Sequence, residues 1–448
     1  MSRPTTGALQ TSEGTVTSIA RSARIASRAL AKLLLKARNE VLLAAAKAIE
    51  DGGKRILEAN AHDCAAAEPE VVAGKMSSAM FARLRVTEKG VAQMATQVRE
   101  VARLADPLGR KLASTELDDG LVLYRESCPL GVIGVIFESR PDVVPQLASL
   151  ALKSGNAVVM KGGSDAAETN ETLVSIWREC LSHFPAVPLD SINLLQSRAD
   201  VMDLLAQDRD VDLIIPRGSY ELVHFIMKHS RIPVLGHGEG ICHVYVDRAA
   251  DLKKAIDVTY DSKVQYPAVC NAAETLLVHE AIAPAFLPKV VTKLKQAGVE
   301  IRGDAKTRAL LPGEAIVPAT EEDWATEYGD LILSVKVVAD LDEAIEHVNS
   351  YGSHHTDAIV TEDAGAARRF MNEIDSAGVF QNVSTRFADG YRYGFGAEVG
   401  ISTSKLHARG PMGLEGLTTY KYKLYGHGHT VAEYAKGEKK FRHRQLPS

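Results

Sequence analysis

Cys270 lies in Gln265-Tyr-Pro-Ala-Val-Cys-Asn-Ala-Ala-Glu-Thr-Leu-Leu-Val-His279, a Pro-containing loop just ahead of an apolar run at 275–278 that reads as a strand. A thiol so placed is held by a sheet yet open to a cleft, which is what a nucleophile needs. A lone cysteine is more often an inert small hydrophobe, so the reading depends on its surroundings. Lys161-Gly162-Gly-Ser164 joins a buried-looking strand to a helix. Helix-start amides, glycines that admit an anion and an adjacent lysine suit a ribose or phosphate; an ordinary βα turn with a surface lysine fits the spacing equally well. Arg217-Gly218-Ser219 repeats the arrangement after 211–215. Two such turns in one parallel sheet favour a dinucleotide, because these sheets bind ligands at the carboxyl ends of their strands. Ser384-Thr-Arg386 and His407-Ala-Arg409 place cations and hydroxyls in or beside a Gly-rich segment. Arginine offers a planar fork to carboxylate or phosphate, so this cluster reads either as an anion pocket or as scattered surface arginines.

Three patterns imitate sites. Gly394-Phe-Gly-Ala-Glu-Val-Gly400 has the wrong spacing for a dinucleotide fingerprint and no strand–turn–helix around it. Gly426-His-Gly-His429 lacks carboxylate or Cys companions, and His354-His355 lacks metal-ligand spacing on a helix, although a polar role in a cleft stays open for it. The five cysteines are far apart, odd in number and form no C-x-x-C. No disulfide framework or metal site is expected, and a reducing cytoplasm is the natural home.

The elements that must position these residues follow from length and pattern. With 448 residues, 46% apolar and 24% charged, the chain has material for two large or three smaller domains. A net charge of −5 leaves no electrostatic footprint for nucleic acid, and no apolar stretch approaches membrane-spanning length. Residues 15 to about 105 read as helical. Within them Arg21, Arg24, Arg28, Lys32, Lys36 and Arg38 carry no acidic neighbours between Glu13 and Glu40, the composition of a transit peptide. The apolar spacing Ile19, Ala23, Leu30, Leu34, Ala37, Val41 favours one amphipathic helix running unbroken into 44–50, with a tail through about residue 14.

Strands at 120–125 and 131–137 follow, then a helix from Pro141 to Gly155. Strands at 157–160, 192–195, 211–215 and 232–235 alternate with helices at 164–183, 200–207 and 220–229. A second series has strands near 243–246, 275–278, 332–338, 357–360 and 378–381, with helices near 249–264, 281–297, 341–349 and 363–374. Alternation at this spacing predicts two doubly wound, mostly parallel α/β units in series. The segment 385–425 holds seven dispersed glycines and is expected to be tightly turning chain without a regular element; the last dozen residues read as a charged tail.

Together these stretches resemble the γ-glutamyl phosphate reductase branch of the aldehyde dehydrogenase superfamily. The matching text includes Val135-Ile-Phe-Glu-Ser-Arg-Pro-Asp142, Ser154-Gly-Asn-Ala-Val-Val-Met-Lys-Gly-Gly163, Ile215-Pro-Arg-Gly218, Gly240-Ile-Cys-His-Val-Tyr-Val-Asp247 and Cys270-Asn-Ala272. It continues through His355-Thr-Asp-Ala-Ile-Val-Thr361, Gly396-Ala-Glu-Val-Gly-Ile-Ser402 and His407-Ala-Arg-Gly-Pro-Met-Gly-Leu-Glu-Gly-Leu-Thr-Thr-Tyr-Lys421. The likeness runs from about residue 18 to about 425. Ser219, Val269 and Val383 depart from the branch's usual glycine and two alanines without removing a chemical group.

The resemblance implies an aldehyde dehydrogenase-like α/β fold with a small β element for oligomerisation. It implies an NADP(H)-binding domain over 1–113 and 129–235, a catalytic domain over 236–410, and an oligomerisation element and tail over 114–128 and 411–448. The implied reaction is NADPH-dependent reduction of L-glutamyl 5-phosphate in proline synthesis, in a homodimer or homotetramer and with glutamate kinase as a possible partner. Cys270 stands at the thiolate position, with Asn271 and backbone amides beside it for the oxyanion. Lys161, Gly162 and Ser164 fall at the adenosine ribose, Arg217, Gly218 and Ser219 at the pyrophosphate, and Glu327 at the nicotinamide ribose. Ser139, Arg140, Asn382, Ser384, Arg386, His407 and Arg409 are the implied substrate residues. Hydrolytic relatives carry a glutamate base whose register here falls near Gly236, which suits a thioester shielded from water. The alternative is an oxidising aldehyde dehydrogenase with another aldehyde substrate, working without phosphate.

Overall fold

In Val132–Phe137 every residue is buried, as in a parallel strand covered on both faces. This run forms part of a four-stranded parallel sheet in the order Ile192–Leu195, Ala157–Lys161, Val132–Phe137, Leu213–Arg217. The computed structural model describes residues 13–236 and 238–447. Most of the expected N-terminal tail therefore lies outside the described residues. Contacts divide the chain into two units. The first is the chain up to Leu235 with Phe395–Gly400 and the segment from Met412; the second is Gly236–Gly394 with Ile401–Pro411.

In the first unit five helices lie between Glu13 and Arg103. The basic stretch is a core helix: Val16, Ala20, Ala23, Ala26 and Leu30 are fully buried. It does not run on as expected. The helix Glu13–Leu30 stops, and a new one, Leu35–Asp51, begins after a turn with no Gly or Pro. Arg38, buried in the second helix, donates to the Lys153 carbonyl and pairs with Asp106 at 2.8 Å.

The expected strand at 232–235 is a single bridge, Ile214 to Val234, since Pro233 has no N–H to extend the ladder. A separate antiparallel sheet runs Thr418–Tyr425, Leu121–Pro129, Lys111–Asp118, Arg444–Leu446. It corrects two expectations. The end of the Gly-rich segment is a regular eight-residue strand. The charged tail folds back so that Arg444 pairs with Glu116 at 2.6 Å.

The second unit is built on seven parallel strands ordered Val317–Pro318, Glu300–Gly303, Ile332–Val338, Ala273–His279, Cys242–Val246, Thr356–Val360, Gly378–Gln381. The short strand Glu300–Gly303 and helix Ala305–Leu310 were not foreseen, being too short to show a period. The doubly wound α/β class holds in both units. Among the described residues no helix is long and apolar enough to cross a membrane.

Candidate active site

Cys270 lies on the loop 265–272, between the helix Leu252–Val264 and the central strand Ala273–His279. The adjacent strand Cys242–Val246 pairs with Ala273–His279 on one side and Thr356–Val360 on the other. Cys242, Cys270 and His355 thus gather at the amino ends of three neighbouring strands. Nε2 of His355 is 3.2 Å from Sγ of Cys270, while its Nδ1 is 2.9 Å from Thr356 Oγ1 and 3.7 Å from the Cys242 thiol. The residue before it, His354, is left-handed at φ 59 and hydrogen-bonds the Asp375 carbonyl at 2.8 Å. A histidine in that region is uncommon, and here it turns the chain to present His355. Cys242 donates to the Cys270 carbonyl at 3.2 Å; complete burial drives its thiol pKa far up, so it is the inert member of the pair.

Gly240 packs on the other side of the loop. A Cβ there would overlap the Cys270 carbonyl and come within 2.5 Å of its Cα, so only glycine fits. Its N–H donates to Glu327 Oε2 at 2.8 Å. Burial raises the pKa of Glu327, with the neighbouring Glu239 adding to the effect. The base of the loop is closed by a fully buried ion pair, Lys263 to Glu274 at 2.6 Å, and burial raises the Glu274 carboxyl to about 7.

The segment after Gly378–Gln381 reaches this loop at Arg386 and Ala388. Asn382 exchanges two hydrogen bonds with the Thr361 backbone, and Ser384 meets Ser262 at 3.2 Å. Arg386 Nε donates to Gln265 at 2.9 Å, and Asn271 Nδ2 donates to the Ala388 carbonyl at 2.8 Å. Asn382 and Ser384 are thereby spent on holding the backbone, whereas Asn271 keeps a buried oxygen, Oδ1, unpartnered. Arg386 is 94% buried; desolvation and the nearby Arg392 lower its pKa, offset in part by Asp389 and then Cys270. A buried cation beside the loop favours a thiolate there. Arg409 pairs with Asp375 at 3.1 Å, and His407 is exposed.

In the first unit, both expected turns sit at carboxyl ends of parallel strands. Gly162 and Gly163 line a cavity of about 160 Å³ with Ala167, Asn170, Leu194 and Gln196. Added side-chain carbons would overlap the Asn170 amide at Gly162 and the Asp165 carboxylate at Gly163. This glycine cradle fits a nucleotide. Asn170, itself buried, has an Oδ1 with no hydrogen-bond partner, an acceptor that suits a polar ligand group. Lys161 donates to the Gly162 carbonyl, and burial lowers its pKa. Ser164 is exposed at the following helix start. Ser139, in the left-handed region at φ 42, donates to Asp165 and so belongs beside this turn. Arg140 lies next along the chain, where its charge offsets part of the rise that desolvation gives the Asp142 pKa.

At Arg217-Gly218-Ser219 the expectation of open amides meets a difference. Ser219 N–H donates to the Glu138 carboxylate at 2.8 Å, and Arg217 donates to the Val399 carbonyl. A pyrophosphate would have to displace Glu138 from this helix start. The groups not foreseen are His355 and Cys242. His355 was visible as half of a His-His dipeptide, but nothing in its spacing tied it to a thiol 85 positions earlier.

The aldehyde dehydrogenase family model matches residues 4–309. The gamma-glutamyl phosphate reductase of Synechococcus sp. (strain JA-2-3B'a(2-13)) is 56% identical over 423 residues, covering 94% of this chain and 92% of that one. The crystal structure of gamma-glutamyl phosphate reductase from Thermotoga maritima superposes with a TM-score of 0.89 at 42% identity, covering 93% and 99% of the two chains. The fold extends to a glyceraldehyde-3-phosphate dehydrogenase of Methanocaldococcus jannaschii complexed with NADP, at 18% identity and TM-score 0.65, covering 94% and 96%. The chain belongs to the aldehyde dehydrogenase family and, within it, to the gamma-glutamyl phosphate reductases.

Proposed function

We propose that this chain reduces L-glutamyl 5-phosphate to L-glutamate 5-semialdehyde with release of phosphate, using NADPH, in the synthesis of proline. The observation that carries the chemistry is the 3.2 Å approach of His355 to the Cys270 thiol. The relatives at 42% and 56% identity support the substrate.

His355 accepts the Cys270 proton through Nε2, and buried Arg386 favours the resulting thiolate. The thiolate attacks the acyl carbonyl; the C–S bond forms as the C–O bond to phosphate breaks, and phosphate leaves with the electron pair. Asn271, still able to offer its second amide hydrogen, and nearby backbone amides stabilise the oxyanion. Bound NADPH supplies the hydride. Collapse of the reduced carbon on Cys270 breaks the C–S bond, yields the aldehyde and returns the thiolate, which regains its proton from His355. Arg386 is the best placed of the candidate substrate residues, while Arg409 already has Asp375 as its counter-ion. Lys161, the Gly162 turn and Asn170 hold the adenosine end of the nucleotide.

The test is the reverse reaction with pyrroline-5-carboxylate, NADP and phosphate, omitting each in turn. Dependence on phosphate or arsenate is expected. Full turnover without either would instead favour the oxidising aldehyde dehydrogenase. We further propose a cytoplasmic homodimer or homotetramer, with the antiparallel sheet as the pairing element and glutamate kinase as a candidate partner.

A further inference from the structure

Glu327 holds the wall behind the nucleophile. Its Oε2 accepts from Gly240 N–H at 2.8 Å, and Gly240 lies directly on the Cys270 backbone. Two residues on, Cys242 donates to the Cys270 carbonyl at 3.2 Å. The segment 240–242 therefore fixes how far the loop projects, and Glu327 anchors its first residue. The same turn is tied at its other end, where Gly329 N–H donates to Glu274 at 3.3 Å. Glu274 is the second residue of the strand after the loop, and its partner Lys263 is the penultimate residue of the helix before it. One brace closes the loop at its base and the other backs it, and both converge on residues 327–329.

From this convergence we infer that Glu327 is a positioning residue for Cys270, one that keeps the thiol within reach of His355; the inference rests on the reading of Cys270 as nucleophile. A carboxylate accepting a backbone N–H makes a charge-assisted hydrogen bond, stronger and more directional than a neutral one. Burial adds to its effect, since an amide left unpaired behind the loop would move toward water or another acceptor and take the loop with it.

The experiment compares Glu327→Ala, Glu327→Asp and Glu327→Gln in the full chain. Two readouts are used: the rate of Cys270 alkylation by iodoacetamide, resolved by peptide mass from the other cysteines, and the Kd for NADPH. Loss of one charge-assisted bond predicts alkylation slowed by about tenfold in the Ala variant when measured without cofactor. Gln, whose amide oxygen still accepts from Gly240, restores the rate. Asp falls a methylene short and is slow like Ala, so it carries the test should Ala fail to fold. Wild-type alkylation in Ala or Asp, or no rescue by Gln, overturns the inference. A Kd raised tenfold at an unchanged alkylation rate would make Glu327 a cofactor ligand instead. Cys270→Ser serves as the separate control, because turnover in that variant would sink the nucleophile reading itself.

Discussion

The imidazole of His355 and the thiol of Cys270 are 3.2 Å apart, brought together at the starts of two parallel strands that flank Cys242–Val246. His355 is 99% buried, and its other nitrogen is 2.9 Å from Thr356 Oγ1, so the ring has little freedom to turn away. In the proposed reaction this places an imidazole beside the attacking thiol.

His355→Gln keeps polarity and much of the volume while removing the base. Positioned general bases contribute about 10²–10⁴-fold, so kcat should fall by that order, with alkylation of Cys270 at neutral pH slowed in parallel. Stopped-flow turnover and alkylation kinetics read both. Unchanged rates would assign His355 to packing.

The Lys263–Glu274 pair is fully buried, and breaking such a pair leaves an uncompensated charge. Lys263→Met or Glu274→Leu alone should destabilise by about 3–5 kcal/mol in urea unfolding. The double variant should recover most of that loss, since two apolar side chains replace two desolvated ones. A double variant as unstable as the sum of the singles would mean that the pair has other charged partners.

Much of this architecture is legible in the linear chain, and the reasons differ by element. The parallel strands show because they are short apolar runs between glycines, and Cys270 shows because it stands beside one of them. The Lys161 turn was visible as a local signal of lysine, two glycines and a helix start. His355 was not, because its meaning comes from strand order, which no local pattern encodes. Lys263 and Glu274 carry no local signal of their pairing, since burial of an ion pair leaves no trace in spacing. The C-terminal strand Arg444–Leu446 was hidden by its charges, which serve a sheet edge through the Glu116 pair. The break at residues 31–34 carries no Gly or Pro to announce it in the sequence.

Burial pushes His347 down to about 2, helped by His243 and the Lys336 ammonium 3.4 Å from its Nδ1. The unfolded chain takes up this proton near pH 6.5 and the folded one does not, so His347 contributes stability above that pH which is lost as pH falls toward 2. Relative to His347→Phe, wild-type stability should decline by up to about 1.4 kcal/mol per pH unit below about 6.5. Urea unfolding of both proteins between pH 7 and 4 measures the difference, and parallel curves would contradict it.

Gly162→Ala tests the cofactor cradle, because the new methyl would overlap the Asn170 amide and lie 3.1 Å from the Phe137 ring. We expect the Kd for NADPH to rise by about tenfold or more, equivalent to 1.4 kcal/mol, with alkylation of Cys270 unaffected. Fluorescence titration of NADPH measures this, and an unchanged Kd would move the adenosine site elsewhere.

The most direct test of the account is to run the enzyme backwards without phosphate, mixing pyrroline-5-carboxylate with NADP, quenching in acid and mapping the digest by mass spectrometry. The account predicts a glutamyl thioester on Cys270 that forms as NADPH appears and disappears when phosphate is added. A glutamyl group on another residue, or phosphate-dependent NADPH formation by Cys270→Ser, would contradict it.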